Sequence, residues 1–154
     1  MINWIRLTIL TSQFLCAQTI NFNNVSLHIK APKNSQITID SSQIISCQNF
    51  NLCLQSPVIL YEEANSSWRI EADGGEINPE SAVFKATDVK ITTPSWWTAS
   101  ANLIEFDPEK QCLSLSEPAM KIKNFIIKSP KATALIKSQN LIINGPWEIT
   151  LDKS

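Results

Sequence analysis

The chain has 154 residues, of which 44% are apolar and 18% are charged. This length accommodates one domain with a buried core but not comfortably two, and the composition is that of a globular protein rather than a disordered one. The formal net charge of −1 gives no overall field that would attract nucleic acid. We therefore expect one globular domain that does not bind nucleic acid.

The first 17 residues differ in character from the rest of the chain. Arg6 is their only charged residue, and a short, mostly apolar stretch follows it and ends with the small residue Ala17. This order is typical of a secretory signal peptide, so we predict a signal peptide over residues 1–17 and a mature domain over residues 18–154. A retained membrane anchor is an alternative, although a span needs about 20 largely apolar residues. Lipidation of Cys16 is a second alternative, but the tripeptide before it is a poor lipobox.

The mature domain is predicted to begin with a β-strand. Ile20 and Phe22 alternate with polar residues, and residues 25–29 resume the alternation in the other phase. A change of phase within a strand predicts a β-bulge between the two parts. His28, the single histidine, lies on the polar side of this strand, so we interpret it as an exposed residue rather than a catalytic base.

An internal repeat is the most informative feature of the sequence. Each unit has a large apolar residue, a second apolar residue two positions later and a small residue two positions after that, so all three side chains share one face of a strand. The residues between them are mostly polar and would face water. In chain order the large residues are Ile37, Trp68, Trp97 and Phe125, the middle ones Ile39, Ile70, Ala99 and Ile127, and the small ones Ser41, Ala72, Ala101 and Ser129.

A second strand follows each small residue and ends 16 or 17 positions after it. Its alternating apolar pairs are Leu52/Leu54, Phe84/Ala86, Leu113/Leu115 and Leu141/Ile143, and the chain then turns at Pro57, Val89, Pro118 and Pro146. Proline is typical of a strand edge or turn. Two residues after the turn, Ile59, Ile91 and Met120 begin a further strand in the first three units. The last unit departs from this register, and Trp147, Ile149 and Leu151 carry its apolar pattern instead. Turn-forming residues separate the strands throughout, so we predict an all-β domain.

Residues that would support catalysis or a metal site are few. The sequence has no GxSxG, P-loop, GxGxxG or HExxH motif. Acidic pairs such as Glu62-Glu63 could act as paired carboxylates, but a solvated acidic face is the favoured interpretation. Beyond Cys16, the cysteines are Cys47, Cys53 and Cys112, without a CxxC pair. Small buried thiols are favoured for them, and one disulfide with a leftover thiol is the alternative.

Charge is distributed unevenly along the chain. Five lysines and no acidic residue lie between Glu117 and Glu148. They could face an anionic ligand or partner, or they could protect strand edges and keep the domain soluble. These lysines are Lys121, Lys123, Lys128, Lys131 and Lys137.

The strand Trp68-Arg69-Ile70-Glu71-Ala72, its echo over residues 97–101, and the returns Asp88-Val89-Lys90-Ile91 and Glu117-Pro118-Ala119 resemble the LptA/LptC family of OstA-like domains. The resemblance covers roughly residues 36–150 and rests on pattern. It implies a repeat-built open β-jellyroll (a β-taco) whose apolar interior holds the acyl chains of lipopolysaccharide. It also implies a periplasmic protein that joins other β-jellyroll envelope transport proteins through edge strands.

From these patterns and the resemblance we predict a binding protein and not an enzyme, with no cofactor, that transfers lipopolysaccharide or a similar glycolipid. If the N-terminal segment is retained, the protein would be anchored to the inner membrane. A structural module with a filled core, which recruits other chains through its edge strands, is the alternative. The predicted lipid-binding residues are Trp68, Ile70, Trp97, Ala99, Phe106, Leu115, Phe125 and Ile127, and the predicted headgroup-binding residues are Lys121, Lys123 and Lys128.

Overall fold

A computed structural model describes residues 21–31, 34–64 and 66–153. The predicted signal peptide and its cleavage site lie outside these ranges. The described chain is all-β, as predicted, with a short 3₁₀ segment at Gln48–Phe50. Its strands are β1 (Asn21–Ala31), β2 (Ser35–Ser46), β3 (Leu52–Gln55), β4 (Val58–Glu63), β5 (Ser66–Glu71), β6 (Gly74–Ile77), β7 (Phe84–Thr92), β8 (Trp97–Asp107), β9 (Cys112–Ser116), β10 (Ala119–Ile122), β11 (Phe125–Lys128), β12 (Lys131–Leu135), β13 (Asn140–Asn144) and β14 (Glu148–Leu151). No helix in the described part of the chain is long and apolar enough to cross a bilayer.

The strands form one hydrogen-bonded sheet that folds over into two layers. The long strands β2, β7 and β8 cross the fold line, so each contributes one half to either layer. The front layer continues through β4 and β5 on one side of β7 and through β10, β11 and β14 on the far side of β8. The back layer contains β3, β6, β9, β12 and β13. Strand β1 pairs along β2 over both layers.

The repeat found in the sequence marks the fold line. Ser41, Ala72, Ala101 and Ser129 lie where the chain passes from the front layer to the back layer. The chain returns to the front layer at Pro57, Val89, Pro118 and Pro146, and each of these follows a residue with positive φ. Those residues are Ser56 (φ 46°), Asp88 (51°), Glu117 (50°) and Gly145 (91°).

Small side chains are required at the corners where the chain passes from the front layer to the back layer, because neighbouring strands bend towards each other there. The Ser41 hydroxyl donates to the carbonyl oxygens of Gln43 and Gln55, at 2.7 and 2.8 Å. The Ser129 hydroxyl donates to the Lys131 carbonyl at 2.9 Å. Each serine thereby satisfies a carbonyl group that the change of direction removes from the ladder.

The predicted bulge in the first strand is wrong. Asn23 pairs with Gln43 and Val25 pairs with Ser41, so one residue separates these pairs on either strand and none is inserted. The change of phase instead comes from Asn24, whose φ is 51°. Asparagine adopts this left-handed conformation more readily than most residues. His28 is exposed and its Nδ1 lies 3.2 Å from the Thr38 hydroxyl oxygen.

From β2 to β8 the two layers cover each other. Along one edge of β2, β4 pairs in the front layer and β3 in the back layer, and β5 and β6 pair in the same way along one edge of β7. Large side chains fill the space between the layers here. Trp68 packs edge-to-face on Trp97 with ring centroids 5.4 Å apart. Phe106 of the back layer packs on Tyr61 of the front layer with ring centroids 5.1 Å apart. This part of the interior is a packed core.

The cysteines divide into a pair and a single thiol. Cys47 and Cys53 form a disulfide across the 3₁₀ segment, with their Cα atoms 5.8 Å apart. Cys112 is half-buried on β9 and is a free thiol. The favoured expectation of three buried thiols is therefore corrected, because the turn from β2 into β3 brings two of them together.

Candidate functional site

The interior opens at the C-terminal end of the two layers. We call this region the open end and define it by four residues of the front layer and two of the back layer. The front-layer residues belong to β11 and β14, and the back-layer residues belong to β13. They are Phe125, Ile127, Ile149, Leu151, Leu141 and Ile143.

Strand register places the front-layer residues of the open end on the inner face. Met120 of β10 is fully buried, and it pairs with Ile127, which pairs in turn with Ile149. Directly paired residues of neighbouring strands point to the same face of a sheet. The neighbouring row of inward-facing residues contains Phe125 and Leu151, which are paired with each other.

These inward residues are nevertheless accessible to solvent. Phe125 is 44% exposed, Ile149 47% and Leu151 63%. The equivalent residue of the second repeat, Trp68, is fully buried. The sequence pattern is the same in both repeat units, so the difference in exposure comes from how far other strands cover the two side chains.

The topology explains why coverage ends here. β8 is the last long strand that crosses the fold line, and beyond it the two layers continue as separate short strands that end with β14 in the front layer and β13 in the back layer. No pairing joins these two edges within the described residues. The facing strand β12 contributes only Ala132 and Ala134 to the interior. Phe125 and Ile127 of β11 thus face small side chains on β12, and the larger Leu141 and Ile143 of the back layer lie one strand further, on β13.

Two hydrogen-bonded bridges join the free margins of the layers outside the open end. The amide of Gln111 in the back layer donates to Glu63 of the front layer at 2.9 Å, and the Tyr61 hydroxyl donates to the same carboxylate at 3.2 Å. The second bridge joins Ser95, in the turn before β8, to Gln139, in the turn before β13. These bridges hold the margins together over the packed core.

Burial of the Tyr61 phenol raises its pKa above the usual value of 10.0. The hydrogen bonds with Ser35 and Gln111 act in the opposite direction, and the Glu63 carboxylate reinforces the rise. The phenol at this bridge therefore stays protonated at neutral pH.

The structure separates the eight predicted lipid-binding residues into two groups. Six lie in the packed core: Trp68, Ile70, Trp97, Ala99, Phe106 and Leu115. The other two, Phe125 and Ile127, lie at the open end. Their direct neighbours on β14, and the pair on β13, were recognised in the sequence as apolar strand positions but not as site residues. Only the pairing of β14 with β11 shows that they share the site.

The predicted headgroup-binding lysines occupy two different positions. Lys121 alternates with inward Met120, so it lies on the outer surface of the front layer, where it pairs with Asp152 at 2.5 Å. Lys128 also lies on that surface and is opposite Glu148 in the register. Lys123 is exposed in the turn between β10 and β11, two residues before Phe125. Of the three, Lys123 is placed beside the open end.

A shallow groove of about 420 Å³ runs over the outer surface of the front layer. Its lining includes Lys90, Thr92, Thr98, Ser100 and Lys121. Among the described residues there is no group of three or more histidine, cysteine, aspartate or glutamate side chains that could hold a metal ion.

No protein-family model matches the chain, and no curated protein matches it in sequence. Among solved structures, the chain is similar to LptH of Pseudomonas aeruginosa, described as the LptA homologous periplasmic component of a lipopolysaccharide transport device. The similarity has a TM-score of 0.36 and 7% sequence identity, and it covers 86% of this chain and 94% of that chain. At these values the likeness by itself assigns neither family nor function.

Proposed function

We propose that this protein binds an amphipathic lipid at the open end, with the acyl chains against the inward apolar residues, and transfers it within the periplasm. The observation that carries the proposal is the exposure of Phe125, Ile149 and Leu151 on the inner face of the front layer. Lipopolysaccharide is the lipid that the sequence resemblance implies. The role is one of binding and not of catalysis.

Elementary energetics support a hydrocarbon ligand there. Burying apolar surface contributes about 25 cal/mol per Å², and each methylene of an acyl chain contributes about 0.8 kcal/mol. A contiguous group of exposed large apolar residues on a globular protein commonly marks a binding surface. The three aligned strands β10, β11 and β14 have four residues each, or roughly 13 Å of apolar length, along which a chain can lie.

The unpaired edges favour a second role in assembly. Strands β13 and β14 each pair with a single neighbour in the described chain, and β1 does so at the other end of the sheet. An exposed strand edge is a template for pairing with another strand. Other β-jellyroll envelope proteins are the partners that this geometry and the resemblance suggest. Such pairing would also extend the apolar interior from one domain to the next.

A photoreactive fatty-acyl probe tests lipid binding directly. After irradiation of the full chain, mass spectrometry should locate the adducts on β11, β13 and β14. Ile142 provides an internal comparison, because it is 46% exposed but lies on the outer face of β13, between inward Leu141 and Ile143. Adducts distributed equally over Ile142 and the open end would contradict a specific site. Lipid extraction and mass spectrometry of protein purified from its native envelope would then identify the lipid.

A further inference from the structure

Trp97 carries a buried hydrogen-bond donor that lacks an acceptor. Its side chain is 1% exposed, and its Nε1 atom has no hydrogen-bond partner among the residues that the structure describes. Buried donors in native proteins are nearly always paired, because an unpaired one loses its hydrogen bond to water without replacement. This N–H group would therefore stabilise any acceptor oxygen brought beside it.

The neighbouring tryptophan shows that the core can satisfy such a group. Trp68 packs edge-to-face against Trp97, and its Nε1 donates to the Ser66 hydroxyl at 3.2 Å. The Thr93 hydroxyl donates to the backbone carbonyl of Trp97 at 2.7 Å, but its oxygen does not accept from the Trp97 indole N–H. These two core tryptophans thus differ, because only the Trp68 indole has an acceptor among the residues that the structure describes.

Strand register connects Trp97 to the open end. Trp97 pairs with Ile122, Ile122 with Phe125, and Phe125 with Leu151, so the four side chains form one inward row across β8, β10, β11 and β14. Neighbouring strands are about 4.8 Å apart, which places β8 roughly 10 Å from β11. A lipid that lies along this row with its hydrocarbon chain against Phe125 and Leu151, and with its carbonyl end towards β8, would bring the carbonyl oxygen to the indole.

We propose that the Trp97 indole N–H donates a hydrogen bond to the carbonyl oxygen of an acyl ester or amide in the bound lipid. The inference rests on the proposed function and makes its ligand more specific. Acyl lipids carry a carbonyl oxygen beside the hydrocarbon chain, whereas alkyl ethers do not. One additional hydrogen bond to a buried donor corresponds to about a tenfold difference in affinity, so the site should prefer acyl over alkyl lipids by that factor.

A matched pair of lipids and a matched pair of variants test this inference. The probes are palmitoyl lysophosphatidylcholine and its hexadecyl ether analogue, both used below their micellar concentrations with the full chain. The unmodified protein should bind the ester about tenfold more tightly than the ether. Trp97→Phe should abolish this preference and lower ester affinity alone. Trp68→Phe removes a donor that is already paired within the protein, so it should leave the preference unchanged.

A second measurement on the unmodified protein does not depend on how the variants fold. In a nitrogen–proton correlation spectrum, the Trp97 indole N–H resonance should move downfield with the ester and not with the ether. Equal affinities for both lipids, with an unmoved indole resonance, would overturn the inference and leave the lipid-binding proposal standing. Failure of both lipids to bind the unmodified protein would overturn the inference and the proposed function together.

Discussion

Phe125 of β11 lies directly opposite Leu151 of β14, and both side chains are inward-facing yet 44% and 63% exposed. In a closed two-layer domain such a pair would be covered by the facing layer. Here the strands that would cover it end at β13, and the paired side chains form the accessible floor of the site. The exposure of this one pair distinguishes a binding surface from the packed core beside it.

Truncation at Phe125 should impair ligand binding more than folding. Phe125→Ala should lower the free energy of unfolding by less than about 1 kcal/mol, because the ring is only partly buried, and should clearly reduce capture of a photoreactive acyl probe. Phe106→Ala is the matched control in the packed core and should cost about 3–5 kcal/mol. Denaturant titration and crosslinking of the folded fraction measure both effects. A loss of several kcal/mol for Phe125→Ala with unchanged capture would favour the structural-module alternative.

Lys123 should contribute more to anionic-lipid binding than Lys121 or Lys128 does. It lies in the turn beside the open end, whereas Lys121 is paired with Asp152 on the outer surface. Lys123→Gln should therefore weaken binding of an anionic lipid at low salt, and the effect should disappear as salt screens the charge. Lys121→Gln should change affinity little. Equilibrium binding over a salt series measures this, and equal effects of the two substitutions would contradict the assignment.

Glycine should stabilise the corners at which the chain returns to the front layer. Ser56 has a φ of 46°, a conformation that costs a side-chain-bearing residue energy, so Ser56→Gly should raise the free energy of unfolding by about 0.5 kcal/mol. Gly145 has a φ of 91°, so Gly145→Ala should lower it by about 1 kcal/mol. Gly74→Ala is the control and should not cause this loss, because the φ of Gly74 lies outside the left-handed region. An added Cβ there would meet Thr87 Oγ1 at 3.6 Å, an ordinary van der Waals contact. Thermal and urea unfolding measure these changes.

Tyr61 should titrate above pH 10, and its ionisation should destabilise the fold. Burial of the phenol raises its pKa in the folded state, so above about pH 10 the folded protein retains a proton that the unfolded chain has released. Stability is therefore full below that pH and is lost as pH rises through the folded pKa. Tyr61 is the only tyrosine in the chain, so tyrosinate absorbance reports it alone. The substitution Glu63→Gln should bring the midpoint of the Tyr61 titration closer to pH 10. The same midpoint in the folded and the unfolded protein would contradict the prediction.

Much of the fold could be predicted from local sequence pattern. Alternation in strands such as Trp68-Arg69-Ile70 indicates which side chains face inward, because successive residues of a strand point to opposite faces. The four units of the repeat predicted turns at Pro57 and its equivalents, and only the structure shows that these positions and Ser41 with its equivalents lie along one fold line. Pairing of Cys47 with Cys53 could not be read from the pattern, since it depends on the local turn between β2 and β3.

The sequence by itself determined the strands, their inner faces and the repeat, because each of these depends on residues two positions apart or on short turns. Only the tertiary structure decided which inner faces are covered. Trp68 and Phe125 hold the same position in the repeat, yet one is fully buried and the other is 44% exposed. Trp68 lies in the middle of the front layer, on a strand between β4 and β7, and packs against Trp97 of β8, whereas Phe125 lies one strand from the free edge β14. These positions depend on how the strands assemble and not on the local pattern.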